Sequence, residues 1–308
     1  MTRKPLHIVF MGNPDFAVPT LAKLNESSHV LDGVVTGSDK KRGRGSERSP
    51  SPVKEYSKAQ GIPVIEADEV GSKALIHKLN KWQPDLFVVV AFKILPPHIL
   101  AIPGWGSLNL HASLLPRYRG AAPIHHALMN GEKETGCTVF MLDKGMDTGM
   151  IINESKTSIG VLETTGDLYN RLKTTGADLM LEVVDQIADG TYSLKTQDER
   201  LACGAPKIGP EDAQIDFQKE SMTVHNFIRG MSPFPAAWTT HEGKKLKILR
   251  SEPAPDVELA TGTGELRNGF AYIGCSKGSI IMHEVQQEGK RKIAGSDYLN
   301  GFGGKIKI

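Results

Sequence analysis

Apolar runs of strand length alternate with helix-like segments through the first part of the chain, and no other feature of the sequence restricts the fold as strongly. The run Leu6–Met11 ends at Gly12, a turn follows, and Phe16–Leu24 has the spacing of a helix. The alternation continues with strands predicted near Val30–Val35, Pro63–Ile65 and Leu86–Phe92, and with helices predicted near Pro52–Gln60 and Ser72–Leu79. This order predicts an α/β fold with a Rossmann-like, mostly parallel, doubly wound sheet. Because ligands bind beyond the carboxyl ends of such strands, residues that directly follow strands are the functional candidates.

The turn after the first predicted strand argues against a nucleotide cofactor. Gly12 is not part of a G-x-G-x-x-G sequence, and no G-x-x-x-x-G-K-[ST] sequence occurs in the chain. The formal net charge is only +2, so any affinity for nucleic acid must come from local basic clusters.

Length and composition predict two folded domains. The chain has 308 residues, of which 39% are hydrophobic. After a helix predicted over Asp167–Ala188, a polar segment with several glycines extends to Gly209, as a linker does. We therefore place a first domain at residues 1–189, a linker at residues 190–208 and a second domain at residues 209–308. A helix near Ser221–Arg229 and short β-like runs between glycine-rich turns predict a smaller OB-like antiparallel β-barrel in the second domain.

Cysteine usage and the length of the apolar runs indicate where the protein works. Cys137, Cys203 and Cys275 lie far apart, so the sequence has neither a disulfide framework nor a closely spaced zinc motif. The longest apolar run, Leu86–Phe92, is too short to cross a membrane. A cytoplasmic protein without a membrane partner is expected.

A polar strand and the loop after it form the first candidate site. In Ser107–His111 leucines alternate with polar residues, so a strand would place Asn109 and His111 side by side on one face. A turn-rich loop follows, and a later strand predicted over Thr138–Leu142 ends in a glycine-bracketed turn that contains Asp147. By spacing alone, a wet face of an edge strand or a hydrogen-bonded structural histidine, together with an ordinary turn aspartate, explains these residues better than a catalytic site does.

Several motifs taken together resemble the methionyl-tRNA formyltransferase family. They are N-x-H-x-S-L-L-P over residues 109–116, R-G-A-A-P-I over 119–124, G-x-D-T-G over 145–149, and the early G-N-P-D-F-A over 12–17. Past the linker the resemblance continues through residues 205–208, 213–217 and 228–238, so it covers nearly the whole chain. The first set is shared with other folate formyltransferases, and the second is typical of the tRNA enzyme.

The resemblance implies transfer of a formyl group from 10-formyltetrahydrofolate, as co-substrate, to the amino group of methionyl-initiator tRNA. Asn109, His111 and Asp147 would be the catalytic residues: Asn109 and His111 would stabilise an oxyanion, and His111 with Asp147 would handle protons. The folate would bind at Ser113, Leu114, Leu115 and Pro116. The chain departs from the family pattern at Phe92-Lys93, where a loop is one residue shorter, and at Met150, where many relatives have an acid.

A basic segment, Lys40–Arg48, is the best candidate for tRNA contact, with Lys41, Arg42 and Arg44 as its named residues. Arginine suits phosphates and unstacked bases, and glycines let such a loop reorder on binding. Lysines and arginines at 244, 245, 247, 250, 290–292, 305 and 307 give the second domain a joint role in steering the tRNA.

Three alternatives stay open at this point. In the first, the acceptor of the formyl group is a nucleotide-linked amino sugar; in the second, it is water. In the third, the chain is an RNA-binding protein that has lost its activity. A metal at His125-His126 is the rival chemistry, but adjacent histidines on a helix diverge and no H-x-x-x-H occurs, so no metal is expected. A monomer is expected because the chain has no repeat or coiled-coil heptad.

Overall fold

A computed structural model describes residues 4–41 and 48–308, which form two compact units. The first unit contains the described residues up to Gly120 together with Gly136–Lys156 and Asn170–Gly204, and the second contains Ala121–Thr135, Thr157–Tyr169 and Ala205–Ile308. Residues of the predicted linker occur in both units. The domain limits proposed at residues 189 and 208 stay a prediction.

Helices and strands alternate as expected in the first part of the chain. The elements up to residue 189 are β1 His7–Gly12, α1 Val18–Asn25, β2 Val30–Thr36, β3 Lys40–Lys41, β4 Arg48–Ser49, α2 Pro52–Ala59, β5 Val64–Glu66, α3 Lys73–Trp82, β6 Leu86–Val90, α4 Pro97–Leu100, β7 Ser107–His111, α5 Pro123–Met129, β8 Glu134–Met141, β9 Ile151–Ser158 and α6 Thr165–Asp189. Those that follow are α7 Ser221–Met231, β10 Trp238–His241, β11 Lys244–Ala254, β12 Thr263–Arg267, β13 Phe270–Gly274, β14 Ser279–Gln287, β15 Ile293–Ala294, α8 Gly295–Asn300 and β16 Lys305–Lys307. Short 3₁₀ turns occupy Asp15–Ala17, Glu199–Leu201 and Pro210–Ala213.

The main sheet has the order β5-β2-β1-β6-β7-β8-β9 among the described residues. Strands β5, β2, β1, β6 and β7 are parallel, whereas β8 runs antiparallel to β7. The chain builds outward from β1 to one side and then returns to build from β6 on the other, so the topological switch point lies between β1 and β6. This is the position at which doubly wound sheets bind ligands.

Strand β6 shows why the sheet forms here. All five of its residues, Leu86–Val90, are buried, as expected for a central parallel strand with both faces covered. On one side Phe87 and Val89 pack with Leu79 of α3 and Ile99 of α4 in a single apolar cluster. Each such fully buried side chain contributes about 1.5–3 kcal/mol to folding.

The second unit contains a barrel-like antiparallel sheet of order β10-β11-β14-β13-β12-β16, with β15 paired to β14. Its interior is formed by alternate strand residues such as Ile248, Ile273 and Met282, and by the apolar face of α7 around Val224 and Ile228. The predicted fold class, a Rossmann-like sheet with a smaller antiparallel barrel-like domain, is confirmed.

Strand β9 was not predicted from the sequence. Its residues, Ile151–Ser158, are mostly polar and half-buried, because β9 is an edge strand of the sheet and edge strands need little apolar alternation. Within the described ranges, no helix combines the length and the hydropathy needed to cross a membrane.

Candidate active site

The carboxyl ends of β1 and β6 meet with little side-chain bulk between them. A Cβ at Gly12 would lie 3.0 Å from the carbonyl oxygen of Val90, so glycine allows the two strands to approach here. The next residue fixes the turn: Asn13 Oδ1 accepts hydrogen bonds from Gly37 N at 2.8 Å and from Thr36 Oγ1 at 3.0 Å. A Cβ at Gly12 would also lie 2.9 Å from Cε1 of Phe10 and 3.0 Å from Cβ of Ala17, so this position has no room for a side chain.

Strand β7 presents Asn109 and His111 on one face, because successive side chains of a strand alternate between faces. Leu108 and Leu110 point the other way and are buried. Asn109 is half-buried, and in the described part of the chain its carboxamide has no hydrogen-bond partner. It therefore keeps both an N–H donor and a carbonyl acceptor available for a ligand.

His111 is only 6% exposed, and its two ring nitrogens have different surroundings. Nε2 lies 2.8 Å from the main-chain carbonyl of Tyr118; because a carbonyl oxygen only accepts, Nε2 carries a proton. Nδ1 faces the carboxylate of Asp147, at 3.6 Å from Oδ2. Of the two ring nitrogens, Nδ1 is therefore the one that faces an ionisable side chain.

The turn that carries Asp147 has an unusual backbone. Asp147 has a φ of 55°, a left-handed conformation that costs a non-glycine residue about 1–3 kcal/mol unless its surroundings maintain it. One end of the turn is fixed by Asp143, whose Oδ1 accepts hydrogen bonds from Gly145 N at 2.8 Å and Thr148 Oγ1 at 2.7 Å. The carboxylate itself is oriented by Gly120 N, which donates to Oδ2 at 2.8 Å.

In the segment predicted to bind the folate, residues 113–116, most side chains are buried in the protein. Ser113, Leu115 and Pro116 are buried, and Leu114 is half-buried. Ser113 Oγ donates to the Arg117 carbonyl at 2.6 Å. Thr138 Oγ1 donates to the Ser113 carbonyl at 2.7 Å and accepts from Leu115 N at 3.1 Å. A ligand at this segment would meet main-chain atoms and Leu114 rather than the Ser113 hydroxyl.

Residues of the predicted linker also belong to this site, which the sequence analysis did not predict. Lys195 exchanges two main-chain hydrogen bonds with Ile151, at 2.8 and 2.9 Å. Cys203 accepts from the loop that bonds His111: its Sγ accepts from Tyr118 N at 3.2 Å and its carbonyl from Arg119 N at 2.9 Å. From the sequence alone, a polar stretch that contains glycines is interpreted as a linker. The contacts described above involve residues far away in the chain, so the local sequence does not reveal them.

The histidine pair of the metal alternative lies in the second unit, on α5. His125 Nε2 donates to the Phe234 carbonyl at 3.1 Å, and His126 Nε2 donates to the Pro206 carbonyl at 3.0 Å. Burial lowers the pKa of His125. Among the residues that the structure describes, no three His, Cys, Asp or Glu side chains converge to hold a metal ion.

Of the basic residues named for tRNA contact, Arg42 and Arg44 lie outside the described residues, and for Lys41 only its place in β3 is described. Several cations of the second unit have local partners. Lys245 Nζ lies 4.1 Å from the centre of the Trp238 ring, and Arg250 Nη2 lies 3.2 Å from Asp167 Oδ1. The carboxylate of Asp167 offsets the charge of Arg250 and so reduces its long-range attraction for a polyanion, whereas the uncharged ring of Trp238 leaves the charge of Lys245 in place.

Two solved structures have a fold similar to that of this chain. An N-formyltransferase from Helicobacter canadensis, in complex with folinic acid and dTDP-3-aminofucose, has a TM-score of 0.66 and 23% identity, over 91% of this chain and 99% of that one. HypX from Aquifex aeolicus, in complex with tetrahydrofolic acid, has a TM-score of 0.67 and 17% identity, over 97% of this chain and 48% of that one. At these identities the comparison shows the fold alone.

Two family models match the chain: the formyl transferase model at residues 6–184 and the model of the formyl transferase C-terminal domain at residues 207–303. The methionyl-tRNA formyltransferase of Chlorobium phaeovibrioides is 42% identical over 305 residues, with 97% of this chain and 96% of the relative covered. That of Geobacter metallireducens is 41% identical, with 96% of each chain covered. The chain therefore belongs to the methionyl-tRNA formyltransferase family, a family of transferases.

Proposed function

We propose that this protein transfers the formyl group of 10-formyltetrahydrofolate to the amino group of methionyl-initiator tRNA, for the start of translation. The observation that carries the chemistry is the unpaired Asn109 carboxamide on the same strand face as His111, whose Nδ1 lies 3.6 Å from the Asp147 carboxylate. The relatives that are about two-fifths identical over nearly the whole chain support the choice of acceptor.

In this proposal the amine attacks the formyl carbon directly, and no covalent enzyme intermediate forms. Negative charge develops on the formyl oxygen as the tetrahedral species appears. Asn109 donates an N–H to that oxygen, because its carboxamide is free to turn toward a ligand. Donors of this kind contribute about 3–4 kcal/mol to the stability of the transition state.

Proton movement is assigned to His111 and Asp147. The attacking nitrogen must lose a proton, and the folate nitrogen must gain one before it leaves. Nδ1 of His111 and Oδ2 of Asp147 face each other at 3.6 Å, somewhat longer than a direct hydrogen bond, and catalytic contacts of this length shorten when the substrate is bound. A protonated His111 also supplies positive charge beside the oxyanion.

Recognition of the two substrates is assigned to different surfaces. The main chain of residues 113–116 and the bare turn at Gly12 would bind the folate, whose ring system offers several hydrogen-bonding groups to main-chain partners. Lys41, Arg42 and Arg44 would contact the tRNA, with the cations of the second unit guiding its approach. The proposal includes a monomer that works in the cytoplasm.

The test is a label-transfer assay with 10-formyltetrahydrofolate and methionyl-tRNA, run beside uncharged tRNA, an amino-sugar nucleotide and no acceptor. Asn109→Ala and His111→Ala are each expected to lower kcat by about two to four decades, since each removes oxyanion stabilisation or proton transfer. Circular dichroism checks that the variants are folded. Full turnover in a folded Asn109→Ala protein would refute the catalytic assignment.

The same assay decides between acceptors. Label on methionyl-tRNA that is lost in the variants supports the proposal. Label on the amino sugar, or loss of formyl groups to water without label on tRNA, would refute the assignment of tRNA as the acceptor. The assignment of the catalytic residues would be retained.

A further inference from the structure

Gln197 donates two hydrogen bonds to the turn that carries Asp147. Its Nε2 lies 2.9 Å from the carbonyl oxygen of Asp147 and 2.7 Å from that of Gly149. Gln197 is only 6% exposed, so these two bonds are shielded from water. Both N–H groups of the carboxamide are used on the carbonyls of a single turn.

The other end of the same carboxamide is also saturated. Gln197 Oε1 accepts from Arg119 Nε at 3.1 Å and from Arg119 Nη2 at 2.7 Å. Arg119 is held in turn by Glu199, whose two carboxylate oxygens accept from Nη1 at 2.9 Å and Nη2 at 2.7 Å. The pairing with Glu199 raises the pKa of Arg119, which therefore stays charged. Asn is too short to reach all these partners, and Glu cannot donate to the carbonyls.

These contacts connect the two loops that frame the candidate catalytic pair. Arg119 directly follows Tyr118, whose carbonyl accepts from His111, and directly precedes Gly120, whose N–H donates to the Asp147 carboxylate. Hydrogen bonds therefore link the imidazole to the loop 118–120 and that loop to the carboxylate. Gln197 adds a second connection between the same loop, through Arg119, and the turn that carries Asp147.

We infer that Gln197 is a positioning residue for Asp147, and that Arg119 fixes Gln197 for that role. The left-handed backbone of Asp147, with a φ of 55°, relaxes easily to a commoner conformation unless its carbonyls are held. Relaxation would swing the carboxylate away from His111 Nδ1. The inference rests on the proposed role of Asp147 in proton transfer.

Two substitutions of similar size test it. Gln197→Met removes both donors, and we expect kcat to fall about 10- to 100-fold with the KM values for folate and tRNA little changed, as for a misplaced catalytic group. Gln197→Glu keeps the contact with Arg119 but sets a carboxylate against two carbonyls. Its activity relative to the parent protein should rise as pH falls, because a protonated carboxyl group can donate one bond.

Non-additivity separates positioning from a general loss of structure. If Gln197 acts through Asp147, adding Gln197→Met to Asp147→Asn should lower kcat by less than about 3-fold further. Gln186→Met is the matched control: this partly buried glutamine of α6 donates to Glu182 at 3.0 Å and should leave kcat unchanged.

Each outcome has a distinct meaning. Parent-like kcat in Gln197→Met, or a full additional loss in the double variant, would overturn the positioning role while leaving the proposed reaction intact. A lower melting temperature with unchanged kcat per folded molecule would reduce Gln197 to a structural residue. If Asp147→Asn itself keeps full activity, the proposed proton role of Asp147 fails, and the positioning inference that rests on it fails with it. A large loss of kcat in Asp147→Asn beside parent-like kcat in Gln197→Met overturns the positioning inference alone.

Discussion

Gly149 closes the turn that presents Asp147, and it has no room for a side chain. A Cβ at this position would collide with the carbonyl oxygen of Met141 and lie 3.3 Å from Cδ2 of Phe140. The main chain cannot move away freely, because the Gly149 carbonyl is bonded to Gln197. At the residue scale, the glycine bracket is thus a packing requirement of the site and not only a turn signal.

We therefore expect Gly149→Ala to destabilise the protein by about 1–3 kcal/mol, the usual cost of forced overpacking. We also expect it to lower kcat while changing KM less. Thermal unfolding and the label-transfer assay measure the two effects. Gly104→Ala is the matched control, since a Cβ at Gly104 meets nothing within 4 Å. Equal melting temperatures for the two variants would contradict the packing argument.

At the scale of elements, helix α7 is joined to its neighbours in the second unit by a buried histidine. His225 is 1% exposed; its Nε2 donates to the Val161 carbonyl at 2.9 Å, and its Nδ1 lies 2.9 Å from Ser251 Oγ. With Nε2 protonated and Nδ1 accepting from the Ser251 hydroxyl, the neutral ring satisfies both contacts. Burial is the main reason that the pKa of His225 is lowered.

This contact should make stability depend on pH in a known direction. Because the folded pKa lies below the unfolded value of about 6.5, the stabilisation is complete above that pH and is lost as pH falls toward the folded pKa. We expect denaturant unfolding of the parent protein to show a falling free energy below about pH 6.5. His225→Gln should flatten that dependence, at a cost of about 1–3 kcal/mol near neutral pH.

The exposed His77 of α3 provides the comparison. His77→Gln should leave both the free energy of unfolding and its pH dependence close to those of the parent protein. An unchanged pH dependence in His225→Gln would show that other groups cause the acid sensitivity.

At the scale of the whole molecule, charge is nearly balanced, with 37 basic and 35 acidic residues. Attraction to a polyanion therefore depends on where cations gather rather than on their sum. The segment Lys40–Arg48 has five basic residues and one acidic residue, and in the second unit ion pairs such as Lys292–Glu284, at 2.9 Å, offset part of the positive charge.

Replacing Lys41, Arg42 and Arg44 together by serine should weaken tRNA binding and lower the slope of log affinity against log salt by about 2–3, one for each lost phosphate contact. The KM for folate should not change. Serine at Lys73, Lys78 and Lys81, which are exposed on α3, removes the same charge and should barely alter the slope. Equal effects of the two triple variants would mean that only overall charge matters.

Much of the fold and part of the site were determined by the sequence alone. The alternation of strands and helices predicted a mostly parallel, doubly wound sheet, and the alternation of Leu108 and Leu110 with Asn109 and His111 predicted that these two polar side chains share a strand face. Both predictions depend on the pattern of near neighbours, which the sequence displays directly. Family motifs added Asp147 to the pair.

Only the tertiary structure decided how the groups are arranged in space. It brings Asp147 to 3.6 Å from His111 and buries the Ser113 side chain. It also turns Gln197, a residue of the predicted linker, into a partner of the Asp147 turn. These contacts join residues that are many positions apart, and their distances depend on the path of the whole chain. No local pattern of polarity or spacing carries that information, because the stabilising hydrogen bonds exist only once both loops are packed on the finished sheet.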